Sequence, residues 1–206
     1  QIENKLKEWS KSKERLIVGI EGYSGVGKTT FLGHLTKCNI DILPIHMDDF
    51  VFAAAKKKDA EKYIREHPRK LLLEWNDGLK LDLLRNLIKE YKKGEKDIFK
   101  AEIFDSLANA YSKNSSFDLS AKILVVEGVF LFHPNVLDDL LDKRIYLDSD
   151  LDSADKRRVK REKERWKEKY FPDDLPNSFF GGFALNYRKY INLDNPKDKA
   201  DWVIKI

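Results

Sequence analysis

The stretch GIEGYSGVGKTTFLGHL, residues 19–35, puts glycines at 19, 22, 25 and 27 in a chain that has only 10 among 206 residues. Residues 22–29, GYSGVGKT, complete the pattern G-x-x-x-x-G-K-[ST]. The apolar run ahead of it, 16–18, reads as part of a buried strand, and the residues behind it as a helix. Glycines at such a junction let the backbone turn tightly and come close to an anion. Successive N–H groups then line a concave nest, and the helix N-terminus adds its partial positive charge. Lys28 has the reach for the β- and γ-phosphates of a nucleotide, and the Thr29 hydroxyl is placed for Mg²⁺. The pattern reads as a triphosphate cradle made of Gly22, Tyr23, Ser24, Gly25, Val26, Gly27, Lys28, Thr29 and Thr30. The plainer alternative is a glycine-rich turn that binds nothing.

Composition narrows the class without naming a partner. A length of 206 residues suits one domain, 1–206, and 42% hydrophobic content is enough for a core. The 39 Lys and Arg nearly balance 35 Asp and Glu, for a formal net charge of +4, too mild a bias to imply nucleic acid. One cysteine, Cys38, excludes an internal disulfide and suits a reducing cytoplasm. The most apolar stretch, 123–132, is interrupted by Glu127 and too short to span a bilayer. The charged opening QIENKLKEWSKSKERL has no apolar signal core. It begins with Gln1 rather than a methionine, which leaves the native start open. The expectation is a cytoplasmic protein acting on a small molecule, with no nucleic acid and no membrane, and with homo-oligomerisation left open.

Periodicity places strands at 16–21, 40–47, 122–126, 144–147 and 202–206, each a short apolar run. Helices are expected around Ile2, Leu6 and Trp9, at 29–38 with Phe31, Leu32 and Leu35 inward, and at 56–66. Another is expected at 79–91, where Leu79, Leu83, Leu84, Leu87 and Ile88 share a face. Residues 134–141 and 149–170 also read as helices, as does 176–191 with a break at Gly181-Gly182. The alternation Ile98, Phe99, Ala101, Ile103 within 97–104 predicts an edge strand or hairpin. Strands alternating with helices predict an α/β fold with a largely parallel sheet.

In such a sheet, ligands gather at the C-terminal ends of the strands, and two carboxylate sites fall there. Asp48-Asp49 follows the second strand, and Glu127 follows 123–126. Glu127 suits a metal-facing position, and Asp48 suits a base that accepts a proton from an attacking hydroxyl. The competing readings are a turn or helix cap for the aspartates and a structural ion pair for Glu127. The four histidines are scattered and show no metal-ligand spacing.

GYSGVGKTT (22–30), PIHMDDF (44–50) and ILVVEGVFLF (123–132) together resemble the uridine kinase and phosphoribulokinase family of P-loop small-molecule kinases. Tyr190 followed by NPKDKADWVI (195–204) is similar to the close of bacterial uridine kinase-like proteins, so the resemblance covers 16–204. It implies a P-loop NTPase three-layer sandwich, with 149–192 as a helical lid and its following segment, and it implies ATP and Mg²⁺ as cofactors. Asp48 matches the catalytic base of the motif D-[DS]-F-Y, with Val51 where the Tyr would stand. The family's lid motif R-D-x-x-x-R is matched by REKER at 161–165, with Glu for Asp and one residue less. This makes Arg161 and Arg165 the phosphate candidates, with Arg157 and Arg158 one turn earlier. The nine Lys and Arg of 156–169 are interleaved with acidic residues, so a solvated helix face competes with the lid reading.

The acceptor region departs from the pattern. AEIFDSLANAY (101–111) keeps only Phe104-Asp105 of a tyrosine-aspartate motif, and LEWNDGLKLDLL (73–84) has lost the proline of D-x-P-x-A-F-D. Asp49, Phe50, Trp75, Asp77, Phe104 and Asp105 are the candidate acceptor contacts, with a core role competing for Trp75, Phe104 and Tyr111. The resemblance implies a kinase whose first-choice acceptor is a nucleoside such as uridine or cytidine. Pantothenate, glycerate and ribosylnicotinamide are the alternatives. From another class, a P-loop ATPase switch or binding module is the competitor; a GTPase is disfavoured, because the N-K-x-D base-reading motif is missing.

Overall fold

A computed structural model describes residues 1–38, 40–50, 66–67, 81–105, 110–170 and 179–206. The two most apolar runs become the centre of the sheet. β1 (Leu16–Glu21) and β5 (Ile123–Gly128) are buried at every position and pair in parallel, Leu16 opposite Ile123. Strands covered on both faces have no polar side to alternate with, which is why both read as continuous apolar segments. β2 (Ile42–His46) lies outside β5, β6 (Lys143–Asp148) lies outside β1, and β7 (Trp202–Lys205) closes the edge beside β6. The order is β2-β5-β1-β6-β7 with every pairing parallel. The expected α/β architecture and parallel sheet are therefore observed.

α1 (Ile2–Ser10) buries Leu6 and Trp9, as the spacing predicts. α2 (Lys28–Leu35) follows the glycine loop and buries Leu32 and Leu35, with Phe31 only partly covered. α3 (Leu81–Lys93) buries Leu84, Leu87, Ile88 and Tyr91, and the Tyr91 hydroxyl donates to the Lys122 carbonyl at 2.9 Å just before β5. α4 (Leu151–Trp166) starts at Asp150, whose carboxylate accepts from the Ser153 N–H at 2.8 Å as an N-cap. α5 (Phe179–Asp194) precedes the turn into β7. The helix expected at 56–66, apart from Glu66, and Trp75 and Asp77 lie outside the described residues.

The structure differs from the sequence reading in three places. The helix expected at 134–141 is absent: residues 134–140 form successive turns, with Val136 N–H bonded to the His133 carbonyl and Leu140 N–H to that of Leu137. Val136, Leu137, Leu140 and Leu141 still bury their side chains, so the helical spacing reported burial and not a helix. α5 runs through Gly181-Gly182 without a break. The alternation at 97–104 is β3 (Ile98–Asp105), which pairs antiparallel with β4 (Ala110–Asp118) in a separate two-stranded sheet. β4 was not expected, because AYSKNSSFD is mostly polar. Phe99 and Ile103 tie this hairpin into the core.

Candidate active site

β1 ends at Glu21, and the chain turns from it onto α2. Gly25 has φ +85° and Gly27 φ +99°, both in the left-handed region that side chains resist. A Cβ on Gly25 would collide with the Ala154 carbonyl of α4, so loop and helix touch backbone to backbone. A Cβ on Gly27 would meet nothing within 4 Å. Gly27 is also the N-cap of α2, with no side-chain cap and no acidic residue in the first turn. A helix start of this kind offers its N–H groups and dipole to an anion. The buried Lys28 ammonium lies across the loop and donates to the Gly22 carbonyl at 2.9 Å and the Tyr23 carbonyl at 3.0 Å. Burial pushes it below the ordinary lysine value, against the attraction of Glu127, Asp48 and Glu21.

The sheet order brings the carboxylates to the loop. β2, β5 and β1 are neighbours, so their C-terminal ends place residues 46–49, Glu127 and the loop side by side. The Thr29 hydroxyl donates to Glu127 Oε1 at 2.9 Å, and His46 Nδ1 lies 2.8 Å from the same oxygen. Burial is the largest single influence on Glu127 and acts to raise it. The His46 bond, the Lys28 charge and the Thr29 bond together overcome it, so Glu127 is held below the usual value. His46 is raised in turn, chiefly by its bond to Glu127.

Asp48 and Asp49 sit in a short 3₁₀ turn, Met47–Asp49, at the end of β2. The Asp48 carboxyl is reached by solvent but ringed by protein: desolvation first, then the Glu127 charge, push it up, while Lys28 opposes. Asp49 is also raised by desolvation, against the charges of His46 and of Lys113 on β4. Phe50 is fully buried and packs on Phe117, their ring centroids 5.8 Å apart, so its visible task is to seat the hairpin against the turn. Phe104 lies opposite Tyr111 across the hairpin, beside an irregularity in its register, and Asp105 opposite Ala110.

The candidate lid arginines take four different positions. Arg157 donates from Nε to the Gly25 carbonyl at 2.9 Å, directly on the phosphate loop. Arg158 is buried and paired with Asp155 at 3.0 Å. Arg161 pairs with Glu162 at 3.0 Å, and its charge reaches both Lys28 and Asp48. Arg165 lies over the ring of its neighbour Trp166, whose Nε1 donates to Glu162 at 2.7 Å. The first turns of α4 are therefore seated on the loop, and only its later turns extend beyond that contact.

Three features escape the sequence reading. The Tyr23 side chain is buried, packs 4.8 Å from Tyr187 and 5.8 Å from Phe183 of α5, and donates from its hydroxyl to Asp155 of α4 at 2.8 Å. Its place in the loop motif gave no hint of this clamp. His46 joins the site through Glu127, and the one available signal was its position two residues ahead of Asp48. Lys113 reaches the site from a strand that was not foreseen.

The model of the phosphoribulokinase / uridine kinase family matches residues 17–205. A uridine kinase of Chlamydia pneumoniae is 33% identical over 149 residues, covering 71% of this chain and 64% of that protein. A uridine kinase of Staphylococcus aureus is 29% identical over 160 residues, 74% of this chain and 72% of its own. The chain spans less than two thirds of the Chlamydia relative and 28% of uridine-cytidine kinase A of Dictyostelium discoideum. Among solved structures, a possible uridine kinase from Bacillus stearothermophilus superposes with a TM-score of 0.58 at 21% identity, over 98% of both chains. The phosphoribulokinase of Rhodobacter spheroides gives 0.59 at 15%, over 93% of this chain and 70% of its own, which supports the fold alone. With the family model spanning residues 17–205, nearly the whole chain, the chain belongs to the phosphoribulokinase / uridine kinase family.

Proposed function

We propose that the chain is an ATP- and Mg²⁺-dependent kinase that phosphorylates a hydroxyl of a small metabolite, a nucleoside such as uridine or cytidine being the first candidate. The observation that carries this reading is the convergence of Lys28, Thr29, Glu127 and Asp48 at adjoining strand ends, with Thr29 and Glu127 already joined at 2.9 Å. The fit to a nucleotide rests on Gly27, which leaves the loop open over the α2 N-terminus. Thr29 and Glu127 would hold Mg²⁺, and a hydroxyl with one carboxylate suits an ion that keeps most of its shell for water and phosphate oxygens. Bound to those oxygens, the ion would offset the charge that develops during transfer.

The chain's own groups divide the remaining work. Loop N–H groups and Lys28 hold the β- and γ-phosphates, in line with the acceptor. Asp48 takes the hydroxyl proton; a carboxyl raised above its ordinary value is a better base at neutral pH than a free one. Arg157, at the loop, and Arg161, whose charge reaches Lys28 and Asp48, add positive charge beside the phosphates. His46 steadies Glu127, and Lys113 and Asp49 flank the acceptor side.

The test is ATP consumption with Mg²⁺, alone and with a panel holding uridine, cytidine, pantothenate, glycerate and ribosylnicotinamide. Stimulation by one acceptor, with that acceptor recovered as its phosphate, is the expected outcome. Hydrolysis at the same rate with every acceptor and with none would replace the kinase by an ATPase switch.

A further inference from the structure

Glu21 is the last residue of β1 and immediately precedes the phosphate loop, yet nothing in the mechanism above uses it. Its side chain is fully buried. Oε2 accepts two hydrogen bonds at 2.8 Å, from the Phe132 N–H in the segment after β5 and from the Tyr190 hydroxyl on α5. Oε1 finds no hydrogen-bond partner among the described residues. One carboxyl thus ties together the root of the loop, the segment leaving Glu127, and the helix whose Tyr187 packs against Tyr23. A core residue needs no charge for that task, and an unpartnered buried oxygen is costly.

The surrounding charges make the group responsive to the loop. Lys28 of α2 and Lys199, ahead of β7, are the cations facing it, and Tyr190 and Tyr187 of α5 and Tyr146 of β6 are the titratable neighbours. Tyr146 and Tyr187 are joined hydroxyl to hydroxyl at 3.2 Å, continuing the polar seam away from the loop. Lys28 is the cation shared by Glu21 and by any phosphate bound in the loop, and phosphate oxygens bring negative charge to the same ammonium.

We propose that Glu21 is a positioning residue for the phosphate-binding loop, which takes up a proton when a nucleotide's phosphate chain occupies the loop and so keeps a second negative charge from standing behind Lys28. The inference rests on the nucleotide reading of the loop. Desolvation raises the Glu21 carboxyl to about 7, with the Phe132 and Tyr190 bonds and the two lysines opposing, so the free protein holds it partly ionised near neutrality. An added anion favours the neutral form, and by linkage the neutral form favours the anion.

The test is calorimetric titration of the whole chain with ADP and Mg²⁺ at pH 7.5, in buffers of different ionisation enthalpy, for the wild type and Glu21→Gln. The ligand's own protons are common to both proteins, so the difference isolates Glu21. The wild type is expected to take up a fraction of a proton more than the variant, and the difference is expected to vanish at pH 5.5. Between pH 6 and 8, its ADP affinity is expected to fall roughly two- to fivefold relative to the variant, the part of the linkage factor this window spans when loading moves a titration by half to one pH unit. Equal proton uptake in two folded proteins overturns the proposal while leaving the nucleotide site intact. No ADP binding by the wild type overturns both.

Should Glu21→Gln fail to fold, Tyr190→Phe removes the hydroxyl's bond to the carboxylate together with its contact to the Phe132 backbone. The pH at which ADP affinity begins to decline should then move upward, and an unchanged profile rejects the role assigned to Glu21.

Discussion

Lys28 and Asp48 carry opposite charges at opposite ends of the proposed transfer, and their substitutions should separate binding from chemistry. Lys28→Ala is expected to lower turnover by about 10²–10³-fold or more, since a charge donor to the transferring group is lost. Asp48→Asn is expected to lower kcat by about 10²–10⁴-fold while ATP affinity changes little, measured by steady-state kinetics beside equilibrium titration. Normal turnover of Asp48→Asn on its true acceptor would reject the base. The base must be ionised, and its value is raised, so activity should decline on acidification at a pH above the ordinary carboxylate range. At this scale the sequence was informative where residues are contiguous: the loop and the DD turn each fit in a few positions. The Glu127–His46 pair, 81 residues apart, is set by the β2–β5 register and has no local signature.

The contact between α4 and the loop belongs to whole elements. Asp155 accepts from Tyr23 and pairs with the buried Arg158, so it joins the loop to the helix and neutralises a guanidinium at once. Asp155→Ala should destabilise the protein by about 1.5–3 kcal/mol, because it removes a charge-assisted bond from a buried guanidinium. Tyr23→Phe, which removes one hydroxyl, should cost about 1 kcal/mol. Chemical denaturation of both variants checks the order, and a Tyr23→Phe loss equal to that of Asp155→Ala would contradict it. Gly33 in α2 is a control of opposite sign. A Cβ there meets nothing within 4 Å, so Gly33→Ala should stabilise the protein by about 0.5–1 kcal/mol through helix propensity. Strands β1 and β5 and helix α3 were legible because each carries one strong period. β4 was not, since its nine residues hold a hairpin with few apolar side chains of their own, and residues 134–141 mimic a helix because turns there bury the same spacing.

For the molecule as a whole, Glu21 links stability to pH. The folded protein keeps its proton up to about 7, whereas the unfolded chain releases it near 4.5. Between those values the folded state binds more protons, so the contribution of this group to stability declines as pH rises and levels off above 7. The gap corresponds to about 3 kcal/mol at most. Denaturation of wild type and Glu21→Gln from pH 5 to pH 8 should show the wild type losing ground against the variant on going up, and parallel curves would contradict this. Fold class was legible from the order of strands and helices, but the walls of the site were not, because they come from segments joined only by the complete sheet.

That distance has a consequence for how the protein is made. The phosphate loop precedes its walls in the chain, for β1 pairs with β5 and β6, Gly25 rests on Ala154, and Tyr23 is held by Asp155 and Tyr187. During synthesis at about 5–20 residues per second, many seconds separate the loop's appearance from that of its walls. Pairing so remote in sequence also makes closure slow. The apolar run ahead of the loop therefore spends that interval without its partners, and the cradle takes shape only when α5 arrives.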